Sequence, residues 1–326
     1  MLAPLLTACL LLVSCREKEN CAGCGDLSPP LGIAFSVPQG DVSFFGMWPM
    51  ELVHSGQLTG WSVVAAEVSV NGQWLAVADG ASHRVALLKL PELYELSGAV
   101  IGGAPLDVEV DATGHLLYAV TNNGSFWCYH VGSGLFDTLE VQLAPRRLAL
   151  RPPDAGEAWV VCGGNNTIHV VDLRQFIHTD TLIMPLTPTD IQFSRNGERF
   201  YVAMQGDTGR VAIFDAASRG LIQQHACGRG ALELAVSDDE RFVAASDSAT
   251  GRLYIWDTVS GLGWDVAVGR HAFRTRFARQ SHVCYAMSIE DTRLLRINIG
   301  EAGPEPADTF YVAPTLRDFV LWEASP

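Results

Sequence analysis

Gly251-Arg252-Leu253-Tyr254-Ile255-Trp256-Asp257 is one copy of a segment that recurs along this chain. Related segments are Gly209-Arg210-Val211-Ala212-Ile213-Phe214-Asp215 and Asn166-Thr167-Ile168-His169-Val170-Val171-Asp172. Each is largely apolar, ends on Asp and belongs to a longer unit. The apolar residue that enters the preceding strand recurs at spacings of 42, 42, 41, 42 and 41 residues. These positions are Leu75, Leu117, Trp159, Phe200, Phe242 and Val283.

Each of these six units contains four strand-like segments separated by turns. A short alternating strand comes first, then a polar turn such as Asn71-Gly72 or Asn196-Gly197, then an apolar strand such as Phe200-Tyr201-Val202-Ala203. The Asp-terminated segment is the third strand, and a less regular strand ends the unit. Four strands in a period of about 40–45 residues indicate the blades of an all-β propeller.

The two ends of the chain supply one further blade. Ala313-Pro314-Thr315-Leu316-Arg317-Asp318-Phe319-Val320 matches the first strand of the other units, after which the chain stops. Gly32–Val37, Asp41–Phe45 and Met50–Val53 supply three more strand-like segments. Closing a ring in this way protects the sheet edges of an open array. The sequence therefore predicts a seven-bladed β-propeller of four-stranded antiparallel blades, with six or eight blades as alternatives.

The three Asp-terminated segments resemble the YVTN family of bacterial β-propeller repeats. The resemblance extends over about residues 60 to 300 and is specific in those three units, because the corresponding positions elsewhere hold Lys89, Val131 and Asn298. It implies the propeller fold and carries little information about activity.

The N-terminus reads as an export signal followed by a polar segment. Residues 1–14 contain an apolar run too short to span a bilayer, which is typical of a signal peptide. Leu12-Val13-Ser14-Cys15 resembles the lipobox of bacterial lipoproteins, which implies lipidation of Cys15 and an extracytoplasmic, membrane-anchored protein. Residues 15–31 then form a flexible tether and residues 32–326 the propeller. An ordinary cleaved signal or a short uncleaved anchor are the alternatives.

Charge and cysteine content exclude several classes of function. With 36 acidic against 22 basic residues the formal net charge is −14, and there is no basic tract that would bind nucleic acid. Cys21 and Cys24 form a CxxC in the tether, interpreted as a small disulfide or two free thiols, with a redox pair or half of a metal site as alternatives. No second ligand pair for zinc accompanies it. Cys128, Cys162, Cys227 and Cys284 lie in four different units. No metal or cofactor is predicted.

Superposition of the units aligns one residue near the start of each innermost strand, at the mouth of the central channel. These residues are Ala65, Asp107, Arg147, Asp190, Glu233, Arg274 and Arg317. Six of the seven are charged, although only 18% of the chain is. The sequence leaves two explanations open: a ring of ion pairs that fixes blade packing, or a funnel that binds a small polar or anionic ligand.

Loop residues on the same face could extend such a site. Arg146, Arg229, Arg270 and His271 precede innermost strands, while Asp79, Asp207, Asp247 and Asp291 follow second strands. His271 is the acid/base candidate if the protein is an enzyme, because His titrates near neutrality; a solvent-facing loop His is the alternative.

The sequence supports two hypotheses of different class. The first is a membrane-tethered, extracytoplasmic scaffold that binds a protein partner or a small polar or anionic ligand. The second is a lactonase-type hydrolase with its site at the mouth of the central channel. The scaffold requires an internally paired ring, whereas the hydrolase requires Arg, carboxylate and His to converge on an open pocket.

Overall fold

The computed structural model describes residues 27–141, 144–312 and 315–323, and every regular element in them is a β-strand. Cys15, Cys21 and Cys24 lie outside these residues, as does the proposed signal peptide. The strands, numbered along the chain, are β1 (Leu31–Ser36), β2 (Asp41–Gly46), β3 (Leu52–Gln57), β4 (Val63–Val68), β5 (Trp74–Asp79), β6 (Arg84–Lys89), β7 (Tyr94–Val100), β8 (Pro105–Val110), β9 (Leu116–Thr121), β10 (Ser125–His130), β11 (Phe136–Glu140), β12 (Pro145–Leu150), β13 (Glu157–Cys162), β14 (Thr167–Asp172), β15 (Ile177–Ile183), β16 (Thr187–Phe193), β17 (Arg199–Gln205), β18 (Gly209–Asp215), β19 (Leu221–Cys227), β20 (Ala231–Val236), β21 (Phe242–Asp247), β22 (Arg252–Asp257), β23 (Gly263–Ala267), β24 (Ala272–Phe277), β25 (Val283–Ser288), β26 (Arg293–Gly300), β27 (Gly303–Tyr311) and β28 (Leu316–Trp322).

The strands form seven four-stranded antiparallel sheets, which confirms the seven-bladed β-propeller. Blades 1 to 6 each consist of four consecutive strands, starting from β4, β8, β12, β16, β20 and β24. The first strand of each blade is innermost and contacts the first strand of the next blade, so that these strands surround the central channel.

Blade 7 closes the ring with strands from both ends of the chain, as predicted. Its strand order is β28-β1-β2-β3, with β28 innermost. β1 pairs with β28 on one edge and with β2 on the other, for example through Ile33 opposite Val320 and Phe44. The contacts between β28 and β4 then join the last blade to the first.

The core lies between the blades, and strand periodicity explains its composition. Successive residues of a strand point to opposite faces of the sheet. In β21, Phe242 and Ala244 accordingly pack toward blade 6, while Val243 and Ala245 pack toward blade 4. Both faces are covered, so the second strand of each unit is continuously apolar. A separate hydrophobic cluster fills each of the seven interfaces.

The Asp that ends the third strand in three units holds the turn to the fourth strand. The Oδ1 atom of Asp215 accepts hydrogen bonds from the backbone N–H groups of Ala217 and Ser218, at 3.1 and 2.7 Å. Asp172 and Asp257 make the same pair of contacts in blades 3 and 5. An Asp that bonds the backbone two residues on is a common turn stabiliser, so this repeated residue has a structural role.

Candidate functional site in the central channel

A β-bulge at the start of each innermost strand determines which side chain enters the channel. In β8 the register shifts between Pro105 and Asp107, so Leu106 is an extra residue opposite β9. The other six innermost strands shift at the same place. A bulge bends the strand and redirects its side chains. In β8, β12, β16 and β28 the residue directly after the bulge carries the charge. In β20 and β24 the shift lies between Ala231 and Leu234 and between Ala272 and Thr275, so Glu233 and Arg274 lie within it.

Three Asp residues of the ring join neighbouring blades by the same hydrogen bond. Asp107 accepts from the backbone N–H of Leu148 at 2.9 Å, Asp190 from that of Leu234 at 2.8 Å and Asp318 from that of Ala66 at 2.9 Å. In each case a carboxylate on an innermost strand bonds the innermost strand of the next blade. These bonds stabilise the ring at three of its seven interfaces.

The guanidinium groups of Arg147 and Arg274 form ion pairs with carboxylates of the ring. Arg147 lies 3.2 Å from Asp107, 3.4 Å from Glu233 and 4.0 Å from Asp190. Arg274 bonds Glu233 and approaches Asp318 at 2.7 and 3.0 Å. The side chains of Arg274 and Glu233 are each 2% exposed. This internally paired arrangement is the one that the scaffold hypothesis requires.

The sequence alignment placed Arg317 in the ring, and the structure corrects it. Arg317 is the bulged residue of β28, since Leu316 pairs with Ser36 and Asp318 with Phe35. Its side chain is exposed and its guanidinium lies 5.7 Å from the ring centroid of Phe273. Asp318, fully buried, occupies the position equivalent to Asp107.

Three further charged residues, which the sequence analysis missed, line the channel one layer below the ring. Glu67, Glu109 and Arg276 each stand two residues after a ring position on the same strand. Arg276 donates to Glu233 at 3.2 Å. The period of two in a strand places residues i and i+2 on one face, so this layer could have been found from the sequence.

Burial and neighbouring charges shift the pKa values of the channel carboxyl groups, lowering that of Glu233 and raising those of the others described here. Burial alone would raise the pKa of Glu233, but Arg274, Arg276 and Arg147 lower it to about 2. Burial raises the pKa of Glu67 to about 7, although Arg276 opposes the shift. Burial and the charge of Glu233 raise the pKa of Asp190 to about 7. Burial and the nearby Glu67 hold the pKa of Glu109 well above its usual range.

The channel encloses a cavity of about 250 Å³, which continues toward the ends of the innermost strands. Phe193, the last residue of β16, lines both this cavity and a wider one of about 570 Å³. The wider cavity, which we call the mouth from here on, is bounded by residues that end or follow innermost strands. They include Val70, Arg195, Val236 and Arg279, with Pro30 from the segment before β1. This cavity lies opposite to the strand starts, where the sequence placed the mouth of the channel.

The residues singled out beside the innermost strands lie at the opposite end of these strands from the mouth, and none of them lines the cavity in the channel. Arg146 was predicted in a loop and is instead the bulged residue of β12. Arg270 pairs with Asp291 at 3.0 Å and with Glu290 at 3.5 Å. His271 is exposed and lines a surface groove beside them. Asp79 and Asp247 accept backbone N–H groups of their own loops, from Ala81 and Ala249 for example. His271 thus lines this groove and not the cavity in the channel.

The described cysteines are buried and no metal centre is found among the described residues. Cys162 and Cys284 are inaccessible to solvent, as predicted for the apolar second strand. Burial raises the pKa of Cys128, Cys227 and Cys284 to about 12, so these thiols stay protonated at neutral pH. Within the same residues, no helix is long and apolar enough to cross a membrane.

The raised carboxyl pKa values predict that stability falls as the pH rises. Glu67 has a pKa near 4.5 when unfolded and about 7 when folded, so the folded state binds more protons between these values. The resulting stabilisation is complete below pH 4.5 and is lost as the pH passes 7. Glu67→Gln should therefore match the wild type at pH 5 and exceed it at pH 8 by about 1–3 kcal/mol. Urea denaturation at both pH values checks this, with exposed Glu290→Gln as control; equal pH slopes in Glu67→Gln and wild type would refute it.

Comparisons with known proteins support the fold. No family model matches the chain, and no curated protein does. A functionally unknown protein from Desulfotomaculum acetoxidans DSM 771 has a similar structure, with TM-score 0.75, 14% identity and coverage of 91% of this chain and 100% of that one. The β-propeller domain of Cps50 (Swd1) from Myceliophteria thermophila has TM-score 0.65, 12% identity and coverage of 77% and 87%. Hydrazine synthase from Kuenenia stuttgartiensis has TM-score 0.65, 14% identity and coverage of 72% and 76%. At these identities the likeness supports the propeller fold and gives no information about activity.

Proposed function

We propose that this protein is a binding scaffold of the YVTN type, tethered to a membrane on the extracytoplasmic side through a lipid on Cys15. The observation that carries the scaffold role is the pairing of Arg147 and Arg274 with carboxylates of their own ring. A guanidinium already bonded to buried carboxylates is not available to an anionic ligand or to a transition state. The same pairing counts against the lactonase-type alternative.

The partner that fits the mouth best is another protein. The mouth combines exposed or half-buried apolar residues, Val70, Phe193 and Val236, with the guanidinium groups of Arg195 and Arg279. Val70 is 57% exposed. Apolar centres flanked by Arg are common in protein interfaces, and a ring of turns from several blades offers a rigid surface.

The position of Pro30 relates the mouth to the proposed tether. Pro30 lines the mouth, and Leu27 packs against the core between blades 7 and 1. The proposed tether therefore joins the propeller at this face, and because residues from Leu27 onward belong to the propeller, residues 15–26 span at most about 40 Å. A partner bound at the mouth would lie between the propeller and the membrane, within reach of other membrane-bound proteins.

The anchor is tested by the mature N-terminus. We expect the protein from membranes to begin at Cys15 and to carry lipid, as read by mass spectrometry, and Cys15→Ser to leave the membrane fraction. A mature chain that begins elsewhere, or that lacks lipid, would disprove the lipid anchor. The proposed binding role would not be affected by that result.

Photo-cross-linking tests the binding surface. A photoreactive residue at Val70 should give a discrete adduct in cells, while the same residue at Ile183, 81% exposed on the outer strand of blade 3, should not. Arg195→Glu combined with Arg279→Glu should abolish the Val70 adduct because both charges flank the contact. Identical adducts from Val70 and Ile183, or no adduct from Val70, would contradict binding at the mouth.

A further inference from the structure

The channel contains more carboxyl groups than the guanidinium groups can neutralise. Among the described residues that line its cavity, the guanidinium groups are those of Arg147, Arg274 and Arg276. The carboxyl groups are those of Glu67, Asp107, Glu109, Asp190 and Glu233. Three of these eight charged groups thus face five of the opposite sign. Because an unpaired buried charge costs several kcal/mol, the excess calls for a counter-charge or for bound protons.

The excess is concentrated on two neighbouring strands. Asp107, Asp190, Glu233 and Asp318 each contact a guanidinium group. Glu67 on β4 and Glu109 on β8 stand one layer below, and no hydrogen bond or ion pair links either carboxylate to another described residue. Each faces the same cavity of about 250 Å³. These two groups are therefore the free acids of the channel.

A second feature independently marks the cavity as incomplete. Glu233 also lines it, and its side chain is 2% exposed. Its Oε1 atom forms ion pairs with the guanidinium groups of Arg147, Arg274 and Arg276, whereas its Oε2 atom has no hydrogen-bond partner among the described residues. Buried polar atoms in native proteins are nearly always hydrogen-bonded, so an orphan carboxylate oxygen beside a cavity needs an explanation.

We propose that the channel is a binding site for a small organic ammonium compound, held between the carboxylates of Glu67 and Glu109. An ammonium group supplies both the missing positive charge and N–H donors. A metal ion is disfavoured because no group of three or more His, Cys, Asp or Glu among the described residues has the arrangement to hold one. The sequence suggested a polar or anionic ligand. The proposed ligand is a cation instead, because the channel groups without a partner among the described residues, Glu67 and Glu109, are acids. This site is independent of the protein partner proposed for the mouth.

The ligand would enter from the mouth, past Phe193, which lines both cavities. A cavity of this size admits a small metabolite and excludes a drug-sized molecule. Glu67 has a pKa of about 7, and burial also raises the pKa of Glu109, so binding should strengthen as the pH rises. The charged groups that face the ligand are the eight named above, and Glu233, with a pKa of about 2, stays ionised throughout.

Titration calorimetry of the full-length protein with 1,4-diaminobutane tests the site. At pH 8 we expect binding at least 10-fold tighter than at pH 5.5, and a loss of at least 10-fold in Glu67→Gln and in Glu109→Gln. The exposed Glu290→Gln, outside the channel, should bind as the wild type does. Neutral 1,4-butanediol should not bind, and 10 mM MgCl₂ should not displace the diamine.

Three results would overturn the proposal. If Mg²⁺ at the same concentration of positive charge displaced the diamine, the diamine would be acting only as a general counter-ion. Absence of diamine binding at pH 8 in a folded protein would show that protons alone balance the excess. Undiminished binding in both channel variants would place the diamine elsewhere. A negative result here leaves cross-linking at Val70 unaffected, so the two proposals fail separately.

Discussion

Replacement of Arg274 by methionine is expected to lower the free energy of unfolding by about 3–5 kcal/mol. Methionine fills much of the same space but leaves the buried Glu233 and Asp318 without their closest guanidinium group. Removing one partner of a buried ion pair leaves an uncompensated charge, which is the costly case. Urea denaturation at pH 7 measures the loss. Because burial raises the pKa of Asp318, the loss should become smaller as the pH is lowered from 7.

Arg317→Met is the matched control for this substitution. Arg317 lies next to Asp318 on β28, but its side chain is exposed. The same change of residue should alter stability by no more than about 0.5 kcal/mol. If Arg317→Met lowered the free energy of unfolding as much as Arg274→Met, Arg317 would belong to the ring after all, as the sequence predicted.

Removal of residues 315–326 should have a still larger effect, because it deletes the innermost strand of blade 7. Leu316, Phe319, Val320 and Trp322 are buried in that strand. Burial of such side chains contributes roughly 1.5–3 kcal/mol each, and the sum approaches the whole stability of a typical domain. The shortened protein should therefore lack a cooperative thermal transition by circular dichroism.

A peptide of residues 312–326 provides the control for this truncation. Added in excess, it should restore the transition, because β28 pairs with β1 and contacts β4 without needing the preceding connection. The same peptide with Asp318→Ala should restore it poorly, since it lacks the bond to the backbone of Ala66 and the contact with Arg274. A shortened chain that melts like the full one would contradict ring closure by β28.

Much of the fold could be predicted because its determinants are local and repeated. Each unit had to bury both faces of its second strand, and this produced apolar runs at a constant period, as from Phe200 to Phe242. The Asp at the end of the third strand and the Gly in polar turns marked the strand ends. Closure by both termini followed from the incomplete units at each end.

The site was predicted in part, and the errors have physical causes. Asp107, Arg147, Asp190, Glu233 and Arg274 were placed correctly around the channel. The alignment of blade 7 matched Ala313-Pro314 to Ala104-Pro105, but by register Leu316 is the residue equivalent to Pro105, so the ring position was assigned to Arg317 instead of Asp318. The direction in which the cavity opens depends on how side chains pack across the channel, and no sequence pattern encodes that.

The central claim is that the guanidinium groups of the ring are ion-paired with carboxylates of the protein itself. A double-mutant cycle on Arg274 and Glu233, with Arg274→Met, Glu233→Gln and the double variant, tests it most directly by urea denaturation. The structure predicts a coupling of at least about 2 kcal/mol, with the double variant more stable than the sum of the single losses implies. Additive losses, with coupling near zero, would show that the two groups are not paired and would reopen the channel to an anionic ligand.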